Sequence, residues 1–280
     1  MRAGGEMINA CTVAYVCLAG AGAGCFLLSC LWGRFAETAR RWFAVAGCAT
    51  GAISVGIAVM FLVFDLGRPE LAWRVFLAPM TSIISLGAWF IGAFLLFAIA
   101  CGVGFAVRGV RFSIPLVACA VALCVAVMLY TGVLFYVAEA ISLWHSVFLP
   151  LFFVASSLTM GAAMLVVANV ALPVAARADF VRLGKTARAL SFAEGAAAIL
   201  YLRHAFVLDP ETAGVLFWGE LSPVFYLGGI LCGFAAPWVL SSVPACASDR
   251  EFRFLAVAVL MLIGGVCMRC AILFAPFVLS

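Results

Sequence analysis

Charge is what this chain has least of. Asp, Glu, Lys and Arg make up 10% of it, against roughly a quarter in a soluble domain. With 68% hydrophobic residues and a mean hydropathy of +1.26, a soluble enzyme is excluded and an integral membrane protein is left. Polar stretches are scarce too. The longest breaks between apolar runs, near 33–41, 175–186, 207–221 and 244–253, are too short for a soluble catalytic domain. Chemistry on a soluble substrate therefore has to come from a partner. The long apolar runs, such as Ile84–Phe105, do not alternate as transmembrane strands do, which removes the β-barrel.

Histidine is nearly absent. His145 and His204 are the two present, so two bis-histidine haems are excluded. Both fall at outer helix ends without the small-residue clearance of a porphyrin, and no haem is expected; a proton-exchanging role suits an imidazole better. The 12 cysteines never form the closely spaced ferredoxin run, so no iron–sulfur cluster is expected in this chain. Cys11, Cys17, Cys25, Cys30, Cys48, Cys101, Cys119, Cys124 and Cys232 lie among Ala, Gly and Leu and read as small apolar packing residues. Cys267-Met-Arg-Cys270 has a redox spacing, but it sits in an apolar run without the strand–helix context that motif needs. No metal site is expected.

What is present is a series of apolar runs, each near the roughly 20 residues that span a bilayer. They place helices at about 8–32, 42–64, 80–107, 113–137, 146–174, 187–206, 222–243 and 254–278. The fold expected is all-α: one transmembrane domain over 1–280, with eight helices in two four-helix bundles. Arg2 ahead of an apolar run, and the small residues Ala19–Ala23, resemble a secretory signal. The run continues to Trp32, longer than an h-region, so a retained first helix is expected.

Orientation follows from basic residues in the short loops. Eleven of the 16 fall on one side: Arg34, Arg40, Arg41, Arg108, Arg111, Arg177, Arg182, Lys185, Arg188, Arg250 and Arg253. The opposite side has Arg2, Arg68, Arg74 and Arg203, with Arg269 inside the last helix. The first side is expected to be cytoplasmic, with both termini and Asp65-Leu-Gly-Arg-Pro69 outside. The net charge of +4 is this bias and needs no nucleic acid. Acidic residues gather outside as Glu6, Asp65, Glu70, Glu139, Asp209, Glu211 and Glu220. Solvated loop charge accounts for Asp209 and Glu211. Asp65, Glu139 and Glu220 abut helix ends, where docking or proton handling competes with that account.

Charges inside a span are costly and mark function by default. Glu194 lies about two turns into the sixth helix, and Arg269 lies in the outer half of the eighth. For Arg269 the alternatives are function, pairing with a carbonyl or carboxylate, and snorkelling to the outer interface.

The fourth helix ends in Met128-Leu-Tyr-Thr-Gly-Val-Leu-Phe-Tyr-Val-Ala-Glu139, followed by Leu143-Trp-His-Ser-Val-Phe-Leu-Pro150 and then Ser156-Ser-Leu-Thr-Met-Gly-Ala-Ala. Earlier come Asp65-Leu-Gly-Arg-Pro, Trp73, Thr81-Ser82, Ser85 and Gly87-Ala-Trp89, after a first helix with Tyr15-Val-Cys-Leu-Ala-Gly-Ala-Gly-Ala-Gly24. With Gly264-Gly and Arg269 near the end, the chain resembles the NrfD/PsrC family of polysulfide-reductase-type membrane subunits over nearly its whole length. The related DMSO-reductase anchors share the eight-helix plan.

The resemblance implies a subunit of a respiratory complex in the bacterial cytoplasmic (inner) membrane, binding exchangeable menaquinone or menaquinol near its outer face. Electrons would pass to or from a ferredoxin-like iron–sulfur subunit, and beyond it a molybdopterin enzyme or multihaem cytochrome docked outside. Tyr130 matches the family's ring-contacting tyrosine. Asn9, Asp65, Arg68, Arg203, His204 and Arg269 join it as quinone-binding candidates, with Asp65 and Arg68 bracing the turn where the partner docks. Asn9 stands in for a histidine or asparagine that family members carry near the outer start of the first helix. Glu139 and His145 are candidates for proton exchange. Glu194, with Ser191 before it and Tyr201 after it, is a candidate for a path to the cytoplasm. Two other classes stay open: a non-catalytic anchor, and a secondary transporter with helix breaks at Gly161, Pro173, Pro223 and Pro237.

Overall fold

Among the described residues six helices are long and apolar enough to cross a membrane, and apolar side chains on their outer faces are left uncovered. Ile53, Met60 and Phe64, then Leu96, Ile99 and Val107, are all more than half exposed, as a lipid-facing surface requires. The computed structural model describes residues 9–35, 40–65, 69–77, 82–108, 113–138, 141–170, 177–242 and 250–278; all elements among them are helical. The strongly apolar helices are α1 (Ala10–Phe35), α2 (Arg40–Asp65), α3 (Ile83–Arg108), α4 (Ile114–Tyr136), α5 (Phe148–Val170) and the last, α9 (Arg250–Val278). Between α5 and α9 come α6 (Arg177–Leu208), α7 (Pro210–Trp218), and a π-helical run Val224–Ala235 that continues into α8 (Ala236–Ser242). The apolar stretch Val224–Leu240 is shorter than the six.

Contacts divide the helices into two rings. In the first, α1 packs on α2 and α4, α2 on α3, and α3 on α4. In the second, α5 packs on α6 and α9, and α9 packs on the π-helical run and α8. The rings meet along α1 and α5, where Gly24 and Gly161 let the two backbones touch: a Cβ on Gly161 would collide with the Gly24 backbone, and one on Gly24 with the Ser157 carbonyl. Gly161 therefore closes an interface inside an unbroken α5 and makes no break. Pro223 opens the π-helical run and Pro237 lies within α8, without a gap between them. Pro173 lies outside the described residues.

Cys30, Cys48, Cys101 and Cys124, one from each helix of the first ring, are buried in the same interior. Among the described residues no three His, Cys, Asp or Glu side chains are grouped to hold a metal ion.

Three segments differ from the sequence expectation. The sixth helix begins at Arg177, ten residues before the expected 187. Its basic first turns lower the hydropathy without breaking the backbone hydrogen bonds. The break near 207–221 contains α7, where Asp209 is the N-cap: its carboxylate accepts from Thr212 N at 3.1 Å and the Thr212 hydroxyl at 2.8 Å, with Pro210 starting the helix. Asp209 is thus a capping residue rather than a loose loop charge. A 3-10 helix, Pro69–Phe76, follows α2.

Candidate functional site

α1, the most enclosed of the apolar helices, carries polar groups at successive turns of one side. At its start, the Asn9 amide donates to Asp65 Oδ1 at 3.2 Å and the Thr12 hydroxyl to Asp65 Oδ2 at 2.6 Å. Asp65 is the last residue of α2, where the helix dipole disfavours a carboxylate. The positive N-terminal turn of α1 offsets that cost, so the pair fastens α1 to α2 at this end.

One turn further, Tyr15 is fully buried, and its hydroxyl has no hydrogen-bond partner. Its neighbour is the Tyr130 phenol of α4, so the two buried hydroxyls lie within reach of each other. Tyr130 is 7% exposed, and its ring lies where a Cβ on Gly87 of α3 would be. Glycine at 87 therefore sets the position of the Tyr130 ring.

Beyond Tyr15, Arg269 of α9 enters the seam between the rings and is completely buried. Nη1 donates to the Val16 carbonyl at 2.9 Å, and Nη2 donates to the Phe153 carbonyl at 3.1 Å and the Ser157 hydroxyl at 2.8 Å. Nε donates to the Ser156 hydroxyl at 3.3 Å, and the guanidinium lies 5.0 Å from the centre of the Phe153 ring. A Cβ on Gly20 would come within 3.0 Å of Nη1, so that glycine supplies the room. The sequence left open whether Arg269 snorkels to the interface. It does not, because carbonyls and hydroxyls of α1 and α5 satisfy it where it lies.

Glu194 of α6 is 4% exposed and faces the Ser156 and Thr159 hydroxyls of α5. The two buried charges share Ser156, which accepts from Arg269 Nε and faces the Glu194 carboxyl, and they lie within electrostatic reach of each other. On its other side, Ser191 bonds the Ala187 carbonyl at 3.1 Å and borders a cavity.

The stretch between α4 and α5 is pinned from the second ring. His204 Nδ1 is 2.9 Å from the Ser146 hydroxyl, the Tyr201 hydroxyl donates to the Leu143 carbonyl at 3.3 Å, and Trp144 Nε1 donates to the Ile272 carbonyl at 3.3 Å. His145 is exposed, stacked on Tyr136, with Nδ1 3.2 Å from the Tyr136 carbonyl. Tyr201 is thereby committed to this stretch and is not directed along α6 toward Glu194.

Of the residues picked from sequence, Asn9 meets Asp65, and Arg269 meets the seam that also holds Glu194. Tyr130 lies beside the α1 face that links these groups. His145 and His204 flank the α4–α5 connection. Arg203 is exposed. Arg68 and Glu139 lie outside the described residues. Sequence reasoning missed Thr12, Tyr15, Ser156, Ser157 and Thr159 as partners. The polar run Ser156-Ser-Leu-Thr159 within an apolar helix was the signal available.

A family model described as polysulphide reductase, NrfD, matches residues 9–279. No curated protein matches the chain.

Proposed function

Since the chain belongs to the NrfD family of polysulphide-reductase membrane subunits, we propose that it is the quinol-interacting subunit of a respiratory oxidoreductase. In this reading it exchanges electrons between menaquinol and an external iron–sulfur subunit while holding no fixed cofactor of its own. Eight membrane crossings, both termini outside and a place in the bacterial inner membrane belong to the same proposal. The observation that carries it is the buried Tyr15 hydroxyl without a partner, beside Tyr130. A buried donor left unmade in a native fold calls for an explanation. Two facing phenols hold two O–H groups; when one donates to the other, one remains for a ligand carbonyl.

Menaquinol, when bound, supplies two electrons and two protons. Tyr130 and Tyr15 orient its ring, and Asp65, held by Asn9 and Thr12 at the same end of α1, accepts a proton there. Arg269 fixes α1, α5 and α9 around the ring-binding end. Glu194, joined to that seam through Ser156, is placed to hold a proton entering from the opposite side.

The test is titration of the purified full chain in nanodiscs with a fluorescent menaquinol-site inhibitor, comparing wild type with Tyr130→Phe and Tyr15→Phe. Saturable binding that weakens at least about tenfold in both variants, or about 1.4 kcal/mol, is the expected result. Folded wild type that shows no saturable binding would leave the non-catalytic anchor as the reading.

A further inference from the structure

The 3-10 helix Pro69–Phe76 reaches along the flank of the bundle instead of stopping at its end. Phe76 packs edge-on against Trp89 of α3, with ring centres 5.6 Å apart. A Cβ on Gly92 would meet the Phe76 ring at 3.7 Å. Gly92 is nine residues beyond Ile83, the first of α3, or about 14 Å down the helix at about 1.5 Å per residue. The same side of α3 carries Leu96, Ile99 and Val103, spaced three and four residues apart and each more than half exposed. Ile91, Phe94, Ala98 and Cys101, on the other side, are buried. Phe76 therefore rests on the lipid-facing stripe of α3, well below the first turn of that helix.

We propose that this 3-10 helix is an interfacial anchor: its aromatic side is bedded in the leaflet at the Asp65 end of the bundle, and the partner it fits is lipid at the headgroup–acyl boundary. In a 3-10 helix residues three apart fall on one side, so Trp73 and Phe76 face the same way. Trp73 is 57% exposed, Phe76 44% and the following Leu77 73%. Through Trp89 this uncovered surface is continuous with the lipid-facing stripe of α3. An indole belongs at that boundary, where its ring is apolar and its N–H meets headgroups. The Arg74 guanidinium lies 5.8 Å from the centre of the Trp73 ring, so a cation able to reach lipid phosphates accompanies the indole. Glu70 and Arg74 leave the helix without net charge, so the anchor asks for no anionic headgroup. A soluble protein seated on the helix ends would leave this flank untouched.

The experiment is tryptophan fluorescence of the full chain in phosphatidylcholine liposomes, comparing wild type with Trp73→Phe and Leu77→Trp. The quenchers are lipid brominated near the carboxyl end of its acyl chain and, separately, iodide in the water on both sides of the membrane. The emission lost in Trp73→Phe and the emission gained in Leu77→Trp both report on this surface. Each is expected to be quenched by the brominated lipid about twofold or more as strongly as by iodide. If Trp73→Phe loses no measurable emission, the gain in Leu77→Trp decides alone, since Leu77 is an exposed side chain whose replacement leaves the packing in place. Quenching by iodide equal to or stronger than that by the brominated lipid would overturn the proposal and leave the surface to a protein partner. The anchor does not rest on the quinol reading, and inhibitor binding at Tyr130 is a separate readout.

Discussion

Arg269 donates from Nη1 to the carbonyl of Val16 at 2.9 Å, a bond between residues 253 apart that ties the last helix to the first. With the bonds to Phe153, Ser156 and Ser157, one side chain joins α1, α5 and α9.

Arg269→Lys should therefore destabilise the protein although it keeps the charge. An ammonium cannot reproduce the planar fork that reaches four acceptors on two helices. At roughly 0.6 kcal/mol per intramembrane hydrogen bond, losing three or four costs about 2 kcal/mol. Unfolding of the purified chain in detergent measures this; an unchanged midpoint would mean that the carbonyls and hydroxyls find other partners.

Asp65 and Thr12 should be energetically coupled. In a double-mutant cycle with Asp65→Ala and Thr12→Val, the 2.6 Å charge-assisted bond predicts a coupling of about 1 kcal/mol. Additive effects would show that the carboxylate is held by the α1 N-terminus alone.

Gly87→Ala should act on the tyrosine without touching it chemically, because the added methyl occupies the space of the Tyr130 ring. Inhibitor affinity is expected to fall by about as much as in Tyr130→Phe, roughly tenfold. Gly56→Ala, where a Cβ meets no atom within 4 Å, is the control and should bind as wild type does. Equal affinities for all three proteins would place the ring-binding end elsewhere.

Glu194→Gln keeps the shape of the side chain and removes its ability to exchange a proton. Proton uptake by proteoliposomes containing the assembled complex is expected to stop, with inhibitor affinity unchanged, because Glu194 faces Ser156 and Thr159 of α5 and not the tyrosines. Unchanged uptake would end its assignment to a proton path.

Much of the plan is legible in the sequence. The long helices stand close to where hydropathy put them, because a span needs a run of fixed length. The α6 start is not legible in hydropathy, which registers the charges of Arg177, Arg182, Lys185 and Arg188, whereas the backbone stays helical through them. α7 is marked in the sequence only by Asp209-Pro210, a helix-start signal set inside a polar break. Within the candidate site, the unusual residues stood out by type: a carboxylate or guanidinium in an apolar run is visible without a structure.

The sequence by itself determined that this is a helical membrane protein of one family over nearly its whole length, with a carboxylate and a guanidinium set within apolar runs. Only the tertiary structure decided that Asp65 answers to Asn9 and Thr12, that Tyr15 faces Tyr130, and that Arg269 ends on Val16 and Phe153. The reason is physical. In a soluble helix the apolar stripe identifies the inward face, but here lipid and interior are both apolar, so the pattern carries almost no phase. Which side of α1 faces α4, α5 and α9 is set by where small residues allow backbones to approach and where buried polar groups find partners, and both depend on helices far apart in the chain.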